Sequence, residues 1–123
     1  MNTSNSLAGT AKKYSGASSL MDALLEAGVS CIFANLGSDH PAIIESWARA
    51  KTERKQLPEI LICPHEMVAL SAAHGHAMIS GKPQAVLVHV ECGTQNLGGA
   101  VHNAARGRIP VLIFAGASPF TQE

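Results

Sequence analysis

The stretch PHEMVALSAAHGHA, residues 64–77, places one carboxylate, that of Glu66, directly after a Pro-His pair. The residues after Glu66 are mostly small, which predicts a helix with a smooth surface that another helix or subunit can approach closely. A glutamate in the first turn of a helix is also favoured by the helix dipole alone, so a purely structural role is the alternative. At the buried mouth of such a contact, however, a carboxyl group would have a raised pKa and could exchange protons with a bound heterocycle.

Six histidines raise the question of a metal site. His74 and His76 are two residues apart, and on a helix this spacing separates them by about 200° around the axis. They cannot chelate one ion, so side-chain packing is the better interpretation of the pair. No other spacing of histidines indicates a ligand set, and we expect no metal ion to be held by this chain.

Two further kinds of site find little support in the spacing of residues. Cys92 close to His89 could form a nucleophile and base, but an ordinary loop cysteine is the simpler interpretation. The glycine-bearing stretch of residues 93–99 lacks the Lys-Ser/Thr ending of a phosphate-binding loop, and no G-x-G-x-x-G pattern follows the first apolar run. These glycines are equally suited to close packing of a helix on a sheet.

Helix-like and strand-like segments alternate along the chain from Ser19 onward. The sequence predicts a first helix with Ser19 as its N-cap that ends at Gly28, and a second helix that begins at about Pro41. A third helix begins near Glu66, and a fourth is predicted to follow a loop over residues 91–99. The predicted strands are the apolar runs VSCIFAN, EILIC, AVLVHV and VLIFAG.

These apolar runs predict strands that are buried on both faces, which is typical of a parallel sheet covered by helices on each side. We therefore expect an α/β fold with an open parallel sheet. Ligands bind such sheets at the carboxyl ends of the strands, where loops converge and helix N-termini point into the crevice. The chemically versatile residues expected at that rim are Ser38, Asp39, His40, His65, Glu66, His89, Glu91, Cys92 and Asn96.

The composition limits which kinds of partner the protein can bind and in which compartment it is expected. The 123 residues suit one domain, and nine basic against nine acidic residues give no pull toward nucleic acid or a membrane surface. No apolar run approaches the roughly 18 residues of a membrane span. Three scattered cysteines fit a reducing compartment, so we expect a cytoplasmic protein. The Ser-rich leader of residues 1–18 is expected to be flexible, and it resembles a mitochondrial transit sequence only faintly.

Four stretches occur in a recognisable order between about Leu20 and Gly116. They are GVSCIFANLGSD, HEMVALSAAHGHA, GKPQAVLVHVECGTQNLGGAVHNA and RIPVLIFAG. Together they resemble the N-terminal pyrimidine-binding (Pyr) domain of thiamine diphosphate enzymes, in particular the acetolactate synthase and benzoylformate decarboxylase group. The resemblance implies a thiamine diphosphate-binding fold over residues 19–123, and four motifs in the right order make it far more specific than one motif would.

The resemblance implies roles for individual residues. Glu66 corresponds to the family glutamate that bonds N1′ of the cofactor's aminopyrimidine, which promotes the 4′-imino form that removes the thiazolium C2 proton to give the ylid. Ser38 corresponds to a loop residue that faces the substrate, and His89 stands seven residues before Asn96, as the active-site histidine does in benzoylformate decarboxylase. The simpler interpretations are a turn serine and a strand-end histidine. The residues expected to contact the cofactor are Leu36, Gly37, Glu66, Gly93 and Asn96.

Several departures from the family pattern leave the substrate open. Leu36 stands where many relatives have the proline of a Pro-Gly turn, and Cys92 replaces a common proline in a Gly-Pro-Gly loop. His76 occupies the place of a usual tyrosine, and Ala117 that of a frequent glutamine. None of these differences affects the expected fold.

The resemblance also implies that the chain is a fragment. The family holds the diphosphate and its Mg²⁺ in a C-terminal domain with a G-D-G motif, which is missing from this sequence. The Pyr domain also normally continues beyond the fourth strand, so we expect a domain truncated there.

The implied function is that of a pyrimidine-binding half-site in a lyase or carboligase that acts on 2-keto acids or related carbonyl compounds. The C-terminal domains of a longer parent chain would complete the site, and whether the parent binds FAD is left open. Active sites of the family form between subunits, so a homodimer or tetramer through the helix of residues 66–79 is expected. The alternative function is a non-catalytic dimerisation module of the same fold.

Overall fold

The computed structural model of the protein describes residues 14–118, in which helices and parallel strands alternate. The predicted flexible leader therefore lies largely outside the described residues. The elements in chain order are α1 (Gly16–Glu26), β1 (Cys31–Asn35), α2 (Pro41–Thr52), β2 (Glu59–Ile62), α3 (Glu66–Ser80), β3 (Gln84–Val88), α4 (Val90–Gln95), α5 (Gly98–Gly107) and β4 (Val111–Ala115). None of the helices within residues 14–118 has the length and apolarity of a membrane span.

The first helix begins earlier than the sequence predicts, because its N-cap is Ser15 and not Ser19. Ser15 has the extended backbone of an N-cap, and its hydroxyl accepts a hydrogen bond from the backbone N–H of Ser18 at 3.1 Å. The additional turn lets the Ser18 hydroxyl bond that of Ser46 in α2 at 2.9 Å. The predicted end of the helix is confirmed, since Gly28 has a φ of 85°.

The four strands form one parallel sheet in the order β2-β1-β3-β4. In the register of the two central pairings, Phe33 of β1 lies beside Leu61 of β2 and Val86 of β3. The chain leaves β1 toward β2 on one side and then crosses to β3 on the other side. The strand order therefore reverses between β1 and β3, and the crevice at their carboxyl ends is the place where such sheets bind ligands.

Alternate residues of the central strands face two separate apolar clusters, so the predicted helices on both faces are confirmed. One cluster joins Ile32, Ala34, Ala85 and Leu87 of β1 and β3 to residues of α1, including Met21 and Leu24. The other cluster joins Phe33, Val86 and Val88 to α3 and to residues at and within α5, including Leu70, Ala73, Leu97 and Ala100. Every residue of β3 is buried, whereas β4 at the sheet edge is only partly covered.

The stretch that follows β3 is a helix where the sequence predicts a loop. Gly93 and Asn96 favour a loop, but α4 completes a short turn of helix in which the Gly93 N–H bonds the His89 carbonyl at 2.8 Å. The Thr94 hydroxyl also donates to the carbonyl of Val90 at 2.8 Å. Local hydrogen bonding therefore outweighs the loop-forming composition, and α5 begins soon afterwards at Gly98.

Candidate functional site

The candidate site lies at the carboxyl ends of β1 and β3, where Asn35 and Val88 end the two paired strands. His89 follows β3 directly, and the β1–α2 loop that begins at Leu36 lies beside it. Glu66 reaches the same rim because α3 begins with this residue after β2 ends. The sheet topology thus brings together residues from three separate segments of the chain.

The Glu66 side chain is buried against the protein, with only 9% of it exposed. His65 is the N-cap of α3, and its ring nitrogen accepts a hydrogen bond from the Met67 N–H at 3.1 Å, which holds the first turn of the helix. The side-chain amide of Asn96 donates to Glu66 Oε2 at 3.0 Å. Glu66 and Asn96, which are 30 residues apart, therefore form one hydrogen-bonded pair at the rim.

The pKa of Glu66 is lowered in the single chain, whereas the raised value expected at the buried mouth of a subunit contact stays a prediction. The largest influence is hydrogen bonding from the residue's own backbone N–H at the start of α3. Burial raises the pKa and is the second influence, but the Asn96 amide, the nearby charge of His65 and the Asn35 side chain all lower it. Glu66 is therefore an ionised acceptor at neutral pH, because the combined effect of its donors outweighs that of burial.

Gly93 packs closely against Glu66 and the end of β3. A Cβ atom at this position would lie 3.4 Å from Glu66 Oε1 and 3.1 Å from the Cβ of Val88. Any larger side chain at residue 93 would crowd the carboxylate. The absence of a side chain at this buried position thus lets α4 pack against the Glu66 carboxylate.

His89 is held by a carboxylate of the neighbouring loop. Its Nδ1 lies 2.7 Å from Asp39 Oδ1, and the two side chains are 33% and 18% exposed. Burial is the largest influence on the pKa of Asp39 and raises it, but the combined effect of hydrogen bonds from His89 and from backbone N–H groups, with the charge of His40, lowers it. Asp39 is therefore ionised beside the His89 ring.

The backbone around His89 is unusual. Val90 has a φ of 34°, a conformation that is costly for a β-branched residue and is retained where the surrounding structure imposes it. A Cβ atom at Gly37 would overlap the imidazole of His89, so the β1–α2 loop can approach the ring this closely only with glycine. Gly37 therefore contacts a predicted catalytic side chain directly.

Three other residues predicted at the site, Leu36, Ser38 and Cys92, do not contact Glu66 or the ring of His89 through hydrogen bonds. Ser38 is exposed, and none of residues 14–118 hydrogen-bonds its hydroxyl. Leu36 is partly buried and packs against the cluster that contains Met21 and Leu24. The thiol of Cys92 contacts the backbone carbonyl of His89 at 3.5 Å and not its ring, so the two do not form a nucleophile and base.

The sequence did not predict a function for two residues at the site, Asn35 and Asp39. The Asn35 side chain helps to lower the pKa of Glu66, and a polar residue at the end of an otherwise apolar strand was the signal that could have found it. Asp39 was expected at the rim but without a function. Its pairing with His89 joins residues 50 apart, which spacing alone could not reveal.

The two histidines of the H-x-H pair, His74 and His76, are partly buried in the fold. The His76 ring lies edge-on to Phe33 with ring centroids 6.0 Å apart, which confirms packing for this residue. His74 lies next to Gly107 of α5. Across residues 14–118, no group of three or more His, Cys, Asp or Glu side chains is arranged to hold a metal ion.

Comparison with known proteins bears directly on this site. The sequence profile described as thiamine pyrophosphate enzyme, N-terminal TPP binding domain, matches residues 14–123. IlvX of Mycobacterium tuberculosis, named as a candidate acetolactate synthase large subunit, is 35% identical over 101 residues, which are 82% of this chain. The chain spans only 19% of the length of that relative.

Solved structures agree with this match. A candidate thiamin diphosphate-dependent enzyme from Mycobacterium smegmatis has a TM-score of 0.70 and 27% identity over 85% of this chain and 19% of its own. The thiamine diphosphate-dependent 4-hydroxybenzoylformate decarboxylase of Rhodococcus jostii RHA1 has a TM-score of 0.67 and 25% identity over 83% of this chain and 18% of its own. The chain therefore belongs to the thiamine pyrophosphate enzymes and corresponds to their N-terminal TPP-binding domain, which confirms the resemblance found in its motifs.

Proposed function

We propose that this chain supplies the pyrimidine-binding half of a thiamine diphosphate site in a lyase or carboligase that acts on 2-keto acids or related carbonyl compounds. The observation that carries the proposal is the buried, ionised carboxylate of Glu66 beside Gly93 at the switch point of the sheet. The substrate class is supported by the Rhodococcus protein, whose name describes a decarboxylase of a 2-keto acid.

The residues around Glu66 fit an aminopyrimidine ring. Asn96 holds Oε2, and Gly93 has no side chain to crowd Oε1, so the ring is proposed to bind at the 9% of the Glu66 side chain that is exposed. A ring placed there would displace the remaining water, and this desolvation raises the pKa of the carboxyl group toward that of a ring nitrogen. Glu66 could then share a proton with the ring, although its pKa is low before the ring binds.

When bound, thiamine diphosphate supplies a carbon nucleophile that adds to carbonyl groups. In this proposal Glu66 holds the proton at the pyrimidine nitrogen, and His89 accepts and returns protons on the substrate side. Ser38, exposed on the adjoining loop, is positioned to hydrogen-bond the substrate. The diphosphate and its Mg²⁺ are assigned to C-terminal domains of a longer parent protein, and whether that parent binds FAD is left open.

We propose in addition that two copies associate through α3. The outer face of this helix carries exposed apolar side chains, with Met67 44%, Val68 51%, Met78 61% and Ile79 90% exposed. The residues between them on that face, Ser71 and Gly75, are small and uncharged, so two such faces could approach closely. A helix face without charge favours a second copy over solvent.

The cofactor proposal is tested by titrating the chain with 4-amino-5-hydroxymethyl-2-methylpyrimidine, the heterocycle of the cofactor, and recording ¹H–¹⁵N NMR spectra. We expect a dissociation constant on the order of 1 mM, since one small ring gains little binding energy, with shifts at Glu66, Gly93 and Asn96. Glu66→Gln should weaken binding at least about tenfold by removing the charged acceptor. Glu26→Gln, on an exposed residue of α1, is the matched control, and equal binding by both variants would contradict the proposal.

The alternative function, a non-catalytic assembly module, is favoured by the same outer face of α3. Sedimentation equilibrium distinguishes the two functions: Val68→Glu should abolish self-association, whereas Ile44→Glu on the exposed side of α2 should not. Association that depends on Val68, in a chain that does not bind the pyrimidine, would support the assembly module. A monomeric wild-type chain at high concentration would contradict association through α3.

A further inference from the structure

Asp39 is the centre of a small cluster formed by the β1–α2 loop and the end of β3. Its Oδ1 lies 2.7 Å from Nδ1 of His89 and 2.9 Å from Nδ1 of His40. The two imidazoles are 6.4 Å apart between ring centroids. One carboxylate oxygen is therefore shared by two histidines, and the hydrogen bonds decide which of them it holds.

The contacts favour His89 as the histidine that Asp39 holds. The backbone N–H of Gly37 lies 2.9 Å from His40 Nδ1 and competes with Asp39 for that nitrogen. Within residues 14–118, Asp39 is the one hydrogen-bond partner of His89 Nδ1, and the 2.7 Å between these atoms is the shorter of the two His–Asp39 distances. The N–H group best placed to donate to Asp39 is therefore that of His89 Nδ1.

Close packing on two sides fixes the Asp39–His89 pair. Gly37 packs against the His89 ring, and Gly116, which follows β4, packs so closely against Asp39 that a Cβ atom there would overlap the carboxylate. Asp39 also lines an apolar cavity of about 210 Å³ together with Leu87 and Phe114. The hydrogen bond is charge-assisted, and the close approach of the two glycines leaves the pair little freedom to rearrange.

We propose that Asp39 is the positioning residue of His89: it accepts the Nδ1 proton and leaves Nε2 as the nitrogen that exchanges protons at the rim. This inference rests on the proposed function, in which His89 handles protons on the substrate side. A proton taken up at Nε2 produces an imidazolium whose charge lies next to Asp39, and the same nitrogen later returns that proton. The low pKa of Asp39 supports the assignment, because the carboxylate is ionised when His89 acts.

The proposal is tested by the tautomer of His89 in the 123-residue chain, read from long-range ¹H–¹⁵N NMR spectra in the alkaline range where the ring signals no longer change with pH. His89→Gln assigns the resonance. We expect the Nδ1–H form in the wild type. Asp39→Ala should shift the ratio of the two tautomers toward Nε2–H on the order of tenfold, because a hydrogen bond to a charged acceptor is lost.

Glu45→Ala, which removes a carboxylate whose side chain is 74% exposed on α2, is the charge-matched control and should leave the tautomer unchanged. A wild-type His89 in the Nε2–H form would overturn the proposal, even if Asp39→Ala does not fold. An unchanged tautomer in folded Asp39→Ala would overturn it too. Binding of the aminopyrimidine at Glu66 should survive Asp39→Ala, so failure of the proposed function appears in that titration and not in the tautomer.

Discussion

Two acidic residues of the rim, Glu66 and Asp39, are both ionised but differ in their partners. Asp39 is hydrogen-bonded by a basic side chain, since His89 lies 2.7 Å away and glycines pack against both partners. Glu66 is hydrogen-bonded by the uncharged amide of Asn96, while the His65 ring lies farther off, with its Nδ1 4.0 Å from Oε2. The comparison indicates that the Asp39 half of the rim is complete in this chain, whereas the Glu66 half is arranged to accept a proton-bearing partner from outside.

The largest effect is expected from Gly37→Ala, which would disrupt the Asp39 half. The new Cβ would overlap the His89 imidazole near its attachment to the backbone, where the ring cannot move aside easily. We expect the free energy of unfolding, measured with urea, to fall by about 1–3 kcal/mol, the usual cost of overpacking.

Gly75→Ala is the control for Gly37→Ala, because a Cβ at residue 75 of α3 meets nothing within 4 Å. It should stabilise the protein by about 0.5–1 kcal/mol through helix propensity. If both variants changed stability in the same direction, the packing of Gly37 against His89 would not be the cause.

A smaller effect is expected from Asn96→Ala, which acts on the Glu66 half. Loss of the 3.0 Å hydrogen bond should raise the pKa of Glu66, because one donor that lowers it is removed. The pKa is measured from the ¹³C shift of the Glu66 carboxyl group, and the cost in stability should be about 1 kcal/mol. Asn103→Ala, on an exposed residue of α5, should change neither quantity, and a matching shift there would refute the assignment.

The smallest effect is the dependence of stability on pH. Glu66 and Asp39 both have pKa values below those of the unfolded chain, so the unfolded state binds protons first as the pH falls. Their contribution to stability is present above about pH 4, near the unfolded values, and is lost as the pH falls through the folded values. Urea unfolding between about pH 6 and 3 should therefore show falling stability, and Glu66→Gln should make that fall shallower. An unchanged profile in Glu66→Gln would show that the carboxylate is not stabilised by its donors.

The sequence was sufficient for the parallel sheet, since apolar runs such as that around Val86 can only be buried between two layers of helices. It also placed Glu66 and Asn96 at one rim. It could not give the start of α1, because Ser15 and Ser19 are equally good N-caps and a tertiary contact of Ser18 decides between them. The α4 helix was missed because its glycine and asparagine favour loops.

The direction of the Glu66 pKa shift also could not be predicted from the sequence. Burial was anticipated, but the donors Asn96 and Asn35 come from other segments, and their combined effect with the helix N-terminus outweighs burial. The Asp39–His89 pair needed the crossing of the chain between β1 and β3 to be known. Local patterns therefore predicted the elements and the rim, while the electrostatic state of the site followed from contacts between distant segments.

The partly covered strand β4 has a practical consequence for handling the protein. Within residues 14–118 it pairs with β3 alone, and Leu112 and Ile113 are 38% and 40% exposed. Its outer edge therefore offers unpaired main-chain donors and acceptors next to exposed apolar side chains. An extended segment of another molecule can pair with such an edge strand. We expect the protein to aggregate at high concentration through pairing of β4 edges unless another segment pairs with β4. Ile113→Lys would be the simplest change that disfavours this pairing.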